Sequence, residues 1–278
     1  MGKRVFSSTL LWSIVVATMW FFRNNGVIVL CTLVALLTMR EFYVLMRGCG
    51  YRPFDKLGTV FGALIALSPW LERQYGLSTD LWLALAIIVF SIRLLGERTP
   101  DNRMEALAAT VFGLLYVGFL LQFFIRIVLP LPTDTLTPNG RLVFCLWAIA
   151  AAKFCDMGAL LTGLAIGRHK MSPLISPKKT WEGAIGGIVA SAAIGAGLAW
   201  IGRTVLPPTL TPLVGALLAV PIALLGIVGD LVESVIKRRA NLKDSAAVIP
   251  AMGGFFDMSD SLLLAGPAAY AMLLWLTR

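Results

Sequence analysis

The sequence predicts an all-α, polytopic integral membrane protein with about nine transmembrane helices and a cytoplasmic N-terminus. Three observations lead there. Of 278 residues, 58% are hydrophobic and only 14% are charged, whereas an ordinary soluble domain carries about 25% charged residues. The apolar residues gather in long runs, as at 107–129 and 262–276, which suit the hydrocarbon core of a bilayer. The cations, in turn, concentrate in alternate loops between those runs.

Taken in order, the apolar segments are 9–22, 27–39, 57–70, 81–95, 107–129, 142–166, 184–202, 211–229 and 262–276. A crossing helix needs about 20 residues. Several segments are shorter, so their ends are soft and the first two also fit a shallow hairpin. Lys3 and Arg4 ahead of the first run resemble the start of a signal peptide. No small-residue cleavage site follows, however, and Arg23-Asn24-Asn25-Gly26 turns straight into the next apolar run. The first run therefore reads as a retained span. Residues 130–140, rich in Pro and Thr, form a connector. No linker separates a second domain; the spans group into residues 1–106, four N-terminal spans, and residues 107–278, a C-terminal region of five spans with cytoplasmic loops at 167–183 and 230–260.

With the N-terminus inside, the inner segments hold 17 of the 24 Lys and Arg residues, the outer segments hold six, and Lys153 lies within a span. This bias obeys the positive-inside rule. It accounts for the net charge of +9 without nucleic acid as a partner. The four cysteines, Cys31, Cys49, Cys145 and Cys155, show no CxxC pairing, and His169 is the single histidine. A disulfide framework, a zinc site and a multi-histidine metal site are therefore excluded. The sixth span is interrupted by Lys153 and Asp156, three residues apart. Charges at that depth face a polar cavity or one another, so the two form either a simple helix pair or part of a functional path.

Residues 234–260 crowd seven Lys, Arg and Asp residues into 27 positions of a chain that otherwise avoids charge. Just before and within this stretch, Asp230, Glu233, Ser234 and Lys237 are spaced i, i+3, i+4 and i+7, one face of a helix leaving the membrane. Asp257 and Asp260 repeat the i, i+3 spacing at the start of the last span, where a helix N-terminus favours anions. Gly253-Gly254 ahead of them permits close approach of backbone to a ligand or helix. Carboxylates in such clusters suit Mg²⁺, which takes a few carboxylates together with substrate phosphates; they also suit a solvated interfacial collar. Interleaved with them are Lys178, Lys179, Lys237, Arg238, Arg239 and Lys243. Cations alone grip anionic headgroups. Carboxylates and cations together fit the joining of two phosphorylated molecules, whose charges repel by about 4 kcal/mol per pair at 4 Å and an effective dielectric near 20.

The stretch 234–260 resembles the signature of the phosphatidate cytidylyltransferase family, the CDP-diacylglycerol synthases. Ser234, Lys237, Arg238, Lys243, Asp244, Ile249, Pro250, Gly253, Gly254, Asp257 and Asp260 fall in its register. The block ISPKKTWEG at 175–183 resembles a second family element. Asp156-Met157-Gly158-Ala159 with Gly163 and Gly167 resembles a third, and Glu41 fits as well.

The resemblance implies transfer of CMP from CTP to phosphatidate or a related anionic phospholipid, giving CDP-diacylglycerol and pyrophosphate with Mg²⁺ as cofactor. It implies Asp230 and Asp257 as metal ligands, with Asp260 as a third. Lys237, Arg238 and Lys243 would contact phosphates and complete the catalytic set with Asp230 and Asp257. Ser176, Lys178 and Lys179 would hold CTP, and Asp156, Ser234, Asp244, Gly253 and Gly254 would line the substrate site. A bacterial-type inner membrane with the site facing the cytoplasm is expected. The GxxxG spacings at 163–167 and 183–187 suit close helix contacts or a homodimer seam.

The chain departs from the family pattern at four places. Met252 stands where His is usual, Met258 replaces Arg, Ser259 replaces an aliphatic residue and Leu160 replaces Tyr. A charge-assisted hydrogen bond contributes about 1.5–3 kcal/mol, so losing two without replacement slows catalysis about a hundredfold or more. The pattern is that of a divergent paralogue. Rival classes are a CTP-dependent lipid kinase, a transporter using Lys153 and Asp156, and a non-enzymatic lipid-binding relative.

Overall fold

The computed structural model describes residues 2–96, 103–130, 136–242 and 253–277, with side chains from residue 12 onward. Nine α-helices occur among them: α1 (Gly2–Gly48), α2 (Asp55–Tyr75), α3 (Thr79–Leu95), α4 (Arg103–Gly113), α5 (Leu120–Val128), α6 (Pro138–Ile166), α7 (Trp181–Ile201), α8 (Pro212–Arg239) and α9 (Phe255–Leu276). A π-helical turn, Leu114–Phe119, joins α4 to α5. The molecule is an all-α integral membrane protein. Among the described residues six helical stretches are long and apolar enough to cross a membrane: 12–48, 103–128, 138–166, 181–201, 212–239 and 255–276.

All nine apolar segments read from the sequence are helical, but they map onto the crossing stretches unevenly. The first two share α1, and the chain breaks between them at Arg23, where φ is 51° and ψ is −134°. The backbone at Gly26 comes back against Thr18, with a Cβ placed there only 2.5 Å from the Thr18 carbonyl oxygen. A continuous helix would hold residues eight apart about 12 Å from each other, so α1 reverses here as a hairpin. Segments 57–70 and 81–95 form α2 and α3, outside the six. With 17 residues, α3 stands at the short end of the range of about 17–25 for a crossing, and the apolar part of α2 is bounded by Lys56 and Glu72.

Helix limits follow local chemistry. The Ser78 hydroxyl accepts from Leu81 N–H to start α3, Thr137 accepts from Gly140 N–H to start α6, and Thr180 accepts from Gly183 N–H to start α7. Gly76, at a φ of 72°, ends α2 in the left-handed conformation that favours glycine. Each cap satisfies a backbone donor that the first helical turn leaves without an intrahelical partner.

The chain forms two compact units. The first comprises Met1–Arg126 and Ile236–Ser259; the second comprises Ile127–Val235 and Asp260–Arg278. In the first unit the buried face of α1, with Met39, Phe42, Tyr43 and Met46, packs on α2 and α4. Tyr43 donates its hydroxyl hydrogen to the Thr110 carbonyl at 2.9 Å. Phe42 meets Phe256 edge to face at 5.8 Å. Ser68 and Thr79 both donate to Gln122 Oε1, at 3.3 Å and 3.0 Å, in a buried polar knot.

In the second unit α6 and α7 pack closely through small residues. A Cβ at Gly187 would lie 2.6 Å from the Cys155 carbonyl oxygen, so the GxxxG spacing at 183–187 serves contact between helices of one chain. Trp147 donates to the Gly195 carbonyl at 2.9 Å, and Ser191 donates to the Ala151 carbonyl at 2.8 Å. The loop expected at 167–183 contains a small antiparallel hairpin, β1 (Lys170–Ser172) and β2 (Ser176–Thr180), with Lys170 opposite Thr180 and Ser172 opposite Ser176.

Candidate active site

In the second unit, helices α8 and α9 build the polar centre. Gly226 and Gly229 leave α8 without side chains where α9 arrives. A Cβ at Gly226 would sit 3.4 Å from Ser261, and one at Gly229 would strike the Asp260 carbonyl. This close approach sets Asp260 beside the polar stripe of α8. Oxygens of Asp230, Glu233 and Asp260 all lie within 4.8 Å of one another, with Glu233 and Asp260 buried.

Two lysines face this trio. Lys179 Nζ is 2.6 Å from Asp230 Oδ2. Lys179 is half-buried near the end of β2, whereas its neighbour Lys178 is exposed. Lys153 Nζ sits 3.5 Å from Asp156 and 3.6 Å from Asp260, and it donates to the Ser261 hydroxyl at 2.8 Å. Ser261 donates in turn to Asp156 at 2.9 Å. The Lys153–Asp156 pair is thus more than an isolated i, i+3 contact; it joins α6 to α9. Four carboxylates (Asp156, Asp230, Glu233, Asp260) meet two ammonium groups (Lys153, Lys179), a formal excess of two negative charges. Like charges this close in a poorly solvated site are costly. A hard divalent cation with oxygen ligands fits both the charge and the donor set.

The hairpin that carries Lys179 is fastened at its base. Glu182, in the first turn of α7, accepts the backbone N–H groups of Arg168 at 3.1 Å and His169 at 3.2 Å, and it contacts His169 Nδ1 at 2.5 Å. Ser176 opens β2 in a half-buried position.

In the first unit Lys237 and Asp257 pair at 2.7 Å. Asp257 Oδ2 accepts from Gly254 N–H, also at 2.7 Å. Gly253 has a φ of +90°, and a Cβ there would collide with the Asp257 carboxylate, so glycine is required on both counts. The start of α9 is held by Glu41 of α1, whose two oxygens accept from Phe255 N–H and Phe256 N–H at 2.9 Å each.

The structure therefore brings Asp230 and Asp260 together and adds Glu233, a residue the sequence placed on the polar stripe without assigning it to metal. Asp257 is set with Lys237 and Gly254. Ser234 is half-buried on α8, and Arg238 is exposed in its last turn. Lys243 and Asp244 lie outside the described residues, as does Met252. Two departures from the family pattern have visible settings. Ser259 is buried, lies 3.1 Å from the Thr38 hydroxyl and donates to the Phe255 carbonyl at 2.8 Å. It thus links α1 to α9 where an aliphatic residue could only pack. Leu160 is 51% exposed on α6.

Fold and site together define an integral membrane protein whose apolar helices enclose a centre of carboxylates and lysines. The model of the cytidylyltransferase family matches residues 2–276. A protein of Synechocystis sp. named phosphatidate cytidylyltransferase is 28% identical over 285 residues, covering 96% of this chain and 92% of that protein. The chloroplastic phosphatidate cytidylyltransferase 5 of Arabidopsis thaliana is 33% identical over 265 residues, 86% of this chain and 63% of the relative. A Mycobacterium bovis protein of the same name is 35% identical over 181 residues, 64% of this chain and 54% of the relative. This chain thus spans nearly the whole Synechocystis protein but about half the length of the mycobacterial one. It belongs to the cytidylyltransferase family.

Proposed function

We propose that the protein transfers CMP from CTP to phosphatidate, forming CDP-diacylglycerol and pyrophosphate. The observation that carries this reading is the convergence of Asp230, Glu233 and Asp260 within 4.8 Å beside Lys179 and Lys153; the relatives' names supply the substrate. A basic patch alone would bind both reactants but would leave nothing for the metal that polyphosphates carry.

An oxygen of the phosphatidate phosphate attacks the α-phosphorus of CTP, a new P–O bond forms, and the bond to the leaving pyrophosphate breaks. A phosphomonoester has its second pKa near about 6, so the nucleophile is already ionised near neutrality and the site needs no Ser–His pair. Catalysis then rests on position and charge. Asp230, Glu233 and Asp260 would hold Mg²⁺, which when bound supplies Lewis-acid neutralisation of phosphate charge. Lys179, carried on the clamped hairpin with Ser176 and Lys178, binds the nucleotide phosphates. Lys153, 3.5 Å from Asp156 and 3.6 Å from Asp260, orients both carboxylates. Lys237, Arg238 and Asp257 form a second polar group at the end of α8 and start of α9, where the cations meet phosphate and Asp257 orients Lys237. Lys243 and Asp244 lie outside the described residues, and only the family resemblance gives them a part in binding phosphate and substrate.

The same reading takes the nine apolar segments as crossings with the N-terminus in the cytoplasm, since 17 of 24 cations then fall inside. It places the site on the cytoplasmic side of a bacterial-type inner membrane, within reach of CTP.

Purified protein supplied with phosphatidate, Mg²⁺ and CTP labelled at the α-phosphate tests the proposal. Label in a CDP-lipid together with free pyrophosphate supports it. Label remaining in soluble CDP identifies a lipid kinase, and label remaining in CTP rejects both chemistries.

A further inference from the structure

A second hollow, ringed by charged side chains, lies wholly within the first unit. It has a volume of about 440 Å³ and is lined by Arg40, Arg47, Asp55, Lys56 and Thr59, a size in the range of small-molecule sites. Arg40 and Arg47 are seven residues apart on α1 and therefore share one face of it. Asp55, Lys56 and Thr59 come from the first turns of α2. None of these residues belongs to the carboxylate cluster.

The members of the hollow differ in how they are employed. Arg47 pairs with Asp55 through its guanidinium, and Asp55 Oδ1 also accepts from Lys56 N–H at 2.8 Å. The single carboxylate of the hollow is thus used to fix Arg47 and the start of α2. Among the described residues the Arg40 guanidinium and the Lys56 ammonium have no ion pair, and the hollow carries a formal charge of +2. Thr59 adds a hydroxyl that can donate. Two uncompensated cations of different shape, a fixed guanidinium and a hydroxyl around one cavity form a donor set for a tetrahedral oxyanion.

A topological bias toward positive loops would place cations in this segment without aiming them. Arg52 shows what that alone produces: it lies in the same inner segment and is exposed, as Arg40, Arg47 and Lys56 are, yet it does not line the hollow. We infer that Arg40, Arg47, Lys56 and Thr59 form a binding site for a phosphate group, separate from the carboxylate cluster and supplied either by an anionic lipid headgroup or by free phosphate. The inference does not rest on the proposed cytidylyl transfer, and its test uses neither CTP nor a substrate for that reaction.

The experiment is native mass spectrometry of the full-length protein in detergent, with dioleoyl phosphatidylglycerol as the probe and dioleoyl phosphatidylcholine as the reference. Losing charge-assisted contacts should weaken retention of the anionic lipid by about tenfold or more in the Arg40→Gln/Lys56→Gln double variant. Arg40→Lys should restore part of the retention, and Arg52→Gln should leave it at the wild-type level. Titration with excess inorganic phosphate against chloride of equal ionic strength separates the two sources. Retention that survives phosphate assigns the lipid headgroup, and selective displacement assigns free phosphate. Equal retention by the double variant, or an equal loss in Arg52→Gln, would overturn the site and leave only a diffuse positive collar.

Discussion

Glu41 accepts hydrogen bonds from the backbone N–H groups of Phe255 and Phe256, each at 2.9 Å, and so fixes the first turn of α9 from a buried position on α1. The contact links residues more than two hundred positions apart. It places a negative charge at a helix N-terminus, where two orphan donors and the helix dipole both favour it. Asp257 lies in that same turn, so the orientation of the Asp257–Lys237 pair depends on Glu41.

Glu41→Gln keeps one acceptor and turns the other toward an N–H as a donor. We expect a loss of about 1–3 kcal/mol in stability, as for other buried polar groups left without a partner. The turnover rate should fall while the KM for CTP stays near wild type, and Glu41→Asp should recover part of the rate. Thermal unfolding in detergent together with steady-state kinetics measures both. A variant that melts early yet turns over at the normal rate would limit Glu41 to a structural role.

Glu233 is the least anticipated member of the carboxylate trio. Glu233→Gln preserves shape while removing one charge from the proposed Mg²⁺ site. The Mg²⁺ concentration for half-maximal activity should rise about tenfold or more, as happens when residues supporting a metal site are changed. The same variant should show little change in the KM for lipid. Titrating activity against Mg²⁺ decides it, and an unchanged Mg²⁺ dependence would remove Glu233 from the metal set.

Lys153 is the cation between Asp156 and Asp260. Breaking a poorly solvated pair by removing one partner costs about 3–5 kcal/mol, so Lys153→Met should be strongly destabilised. The double change Lys153→Met/Asp156→Asn removes one of the stranded charges and should regain part of that stability. Melting curves of the single and double variants report the coupling. With Asp156→Asn measured alongside, a double-variant loss equal to the sum of the two single losses would show that Asp156 and Lys153 act independently.

Gly229 tests how packing sets the chemistry. A Cβ there meets the Asp260 carbonyl, and forcing extra volume into a close contact costs about 1–3 kcal/mol. Gly229→Ala should push α9 away from α8 and spread the carboxylates, lowering activity more than Gly197→Ala, where a Cβ meets nothing within 4 Å. Parallel rates for the two variants measure the difference.

Much of this architecture is written in local sequence. Long apolar runs become helices because lipid leaves the backbone no other partner, and Ser78, Thr137 and Thr180 mark three helix starts by chemistry that acts over three residues. The stripe Asp230, Glu233, Ser234 and Lys237 was equally legible, because helical spacing fixes which residues share a face. Partnership was harder to read. Asp260 joins Asp230 and Glu233 because Gly226 and Gly229 let α9 approach, and that depends on packing between segments far apart in the chain. The hairpin 170–180 was hidden for a similar reason: its strands are three and five residues long, too short for a periodic signal, and its base is tied by Glu182. The reversal at Arg23 was foreshadowed by Arg23-Asn24-Asn25-Gly26. Ser259 reads as a plain departure from a pattern until Thr38 is seen opposite it.

The most direct measurement is transfer of α-phosphate label from CTP into lipid by purified wild-type protein and by Asp230→Asn and Asp260→Asn variants that elute and melt normally. Removing one preorganised charged group from a reaction centre costs about a hundredfold or more, so the wild type should form labelled CDP-lipid and both variants should fall at least that far. Wild-type rates in either variant would contradict a carboxylate cluster that serves nucleotidyl transfer.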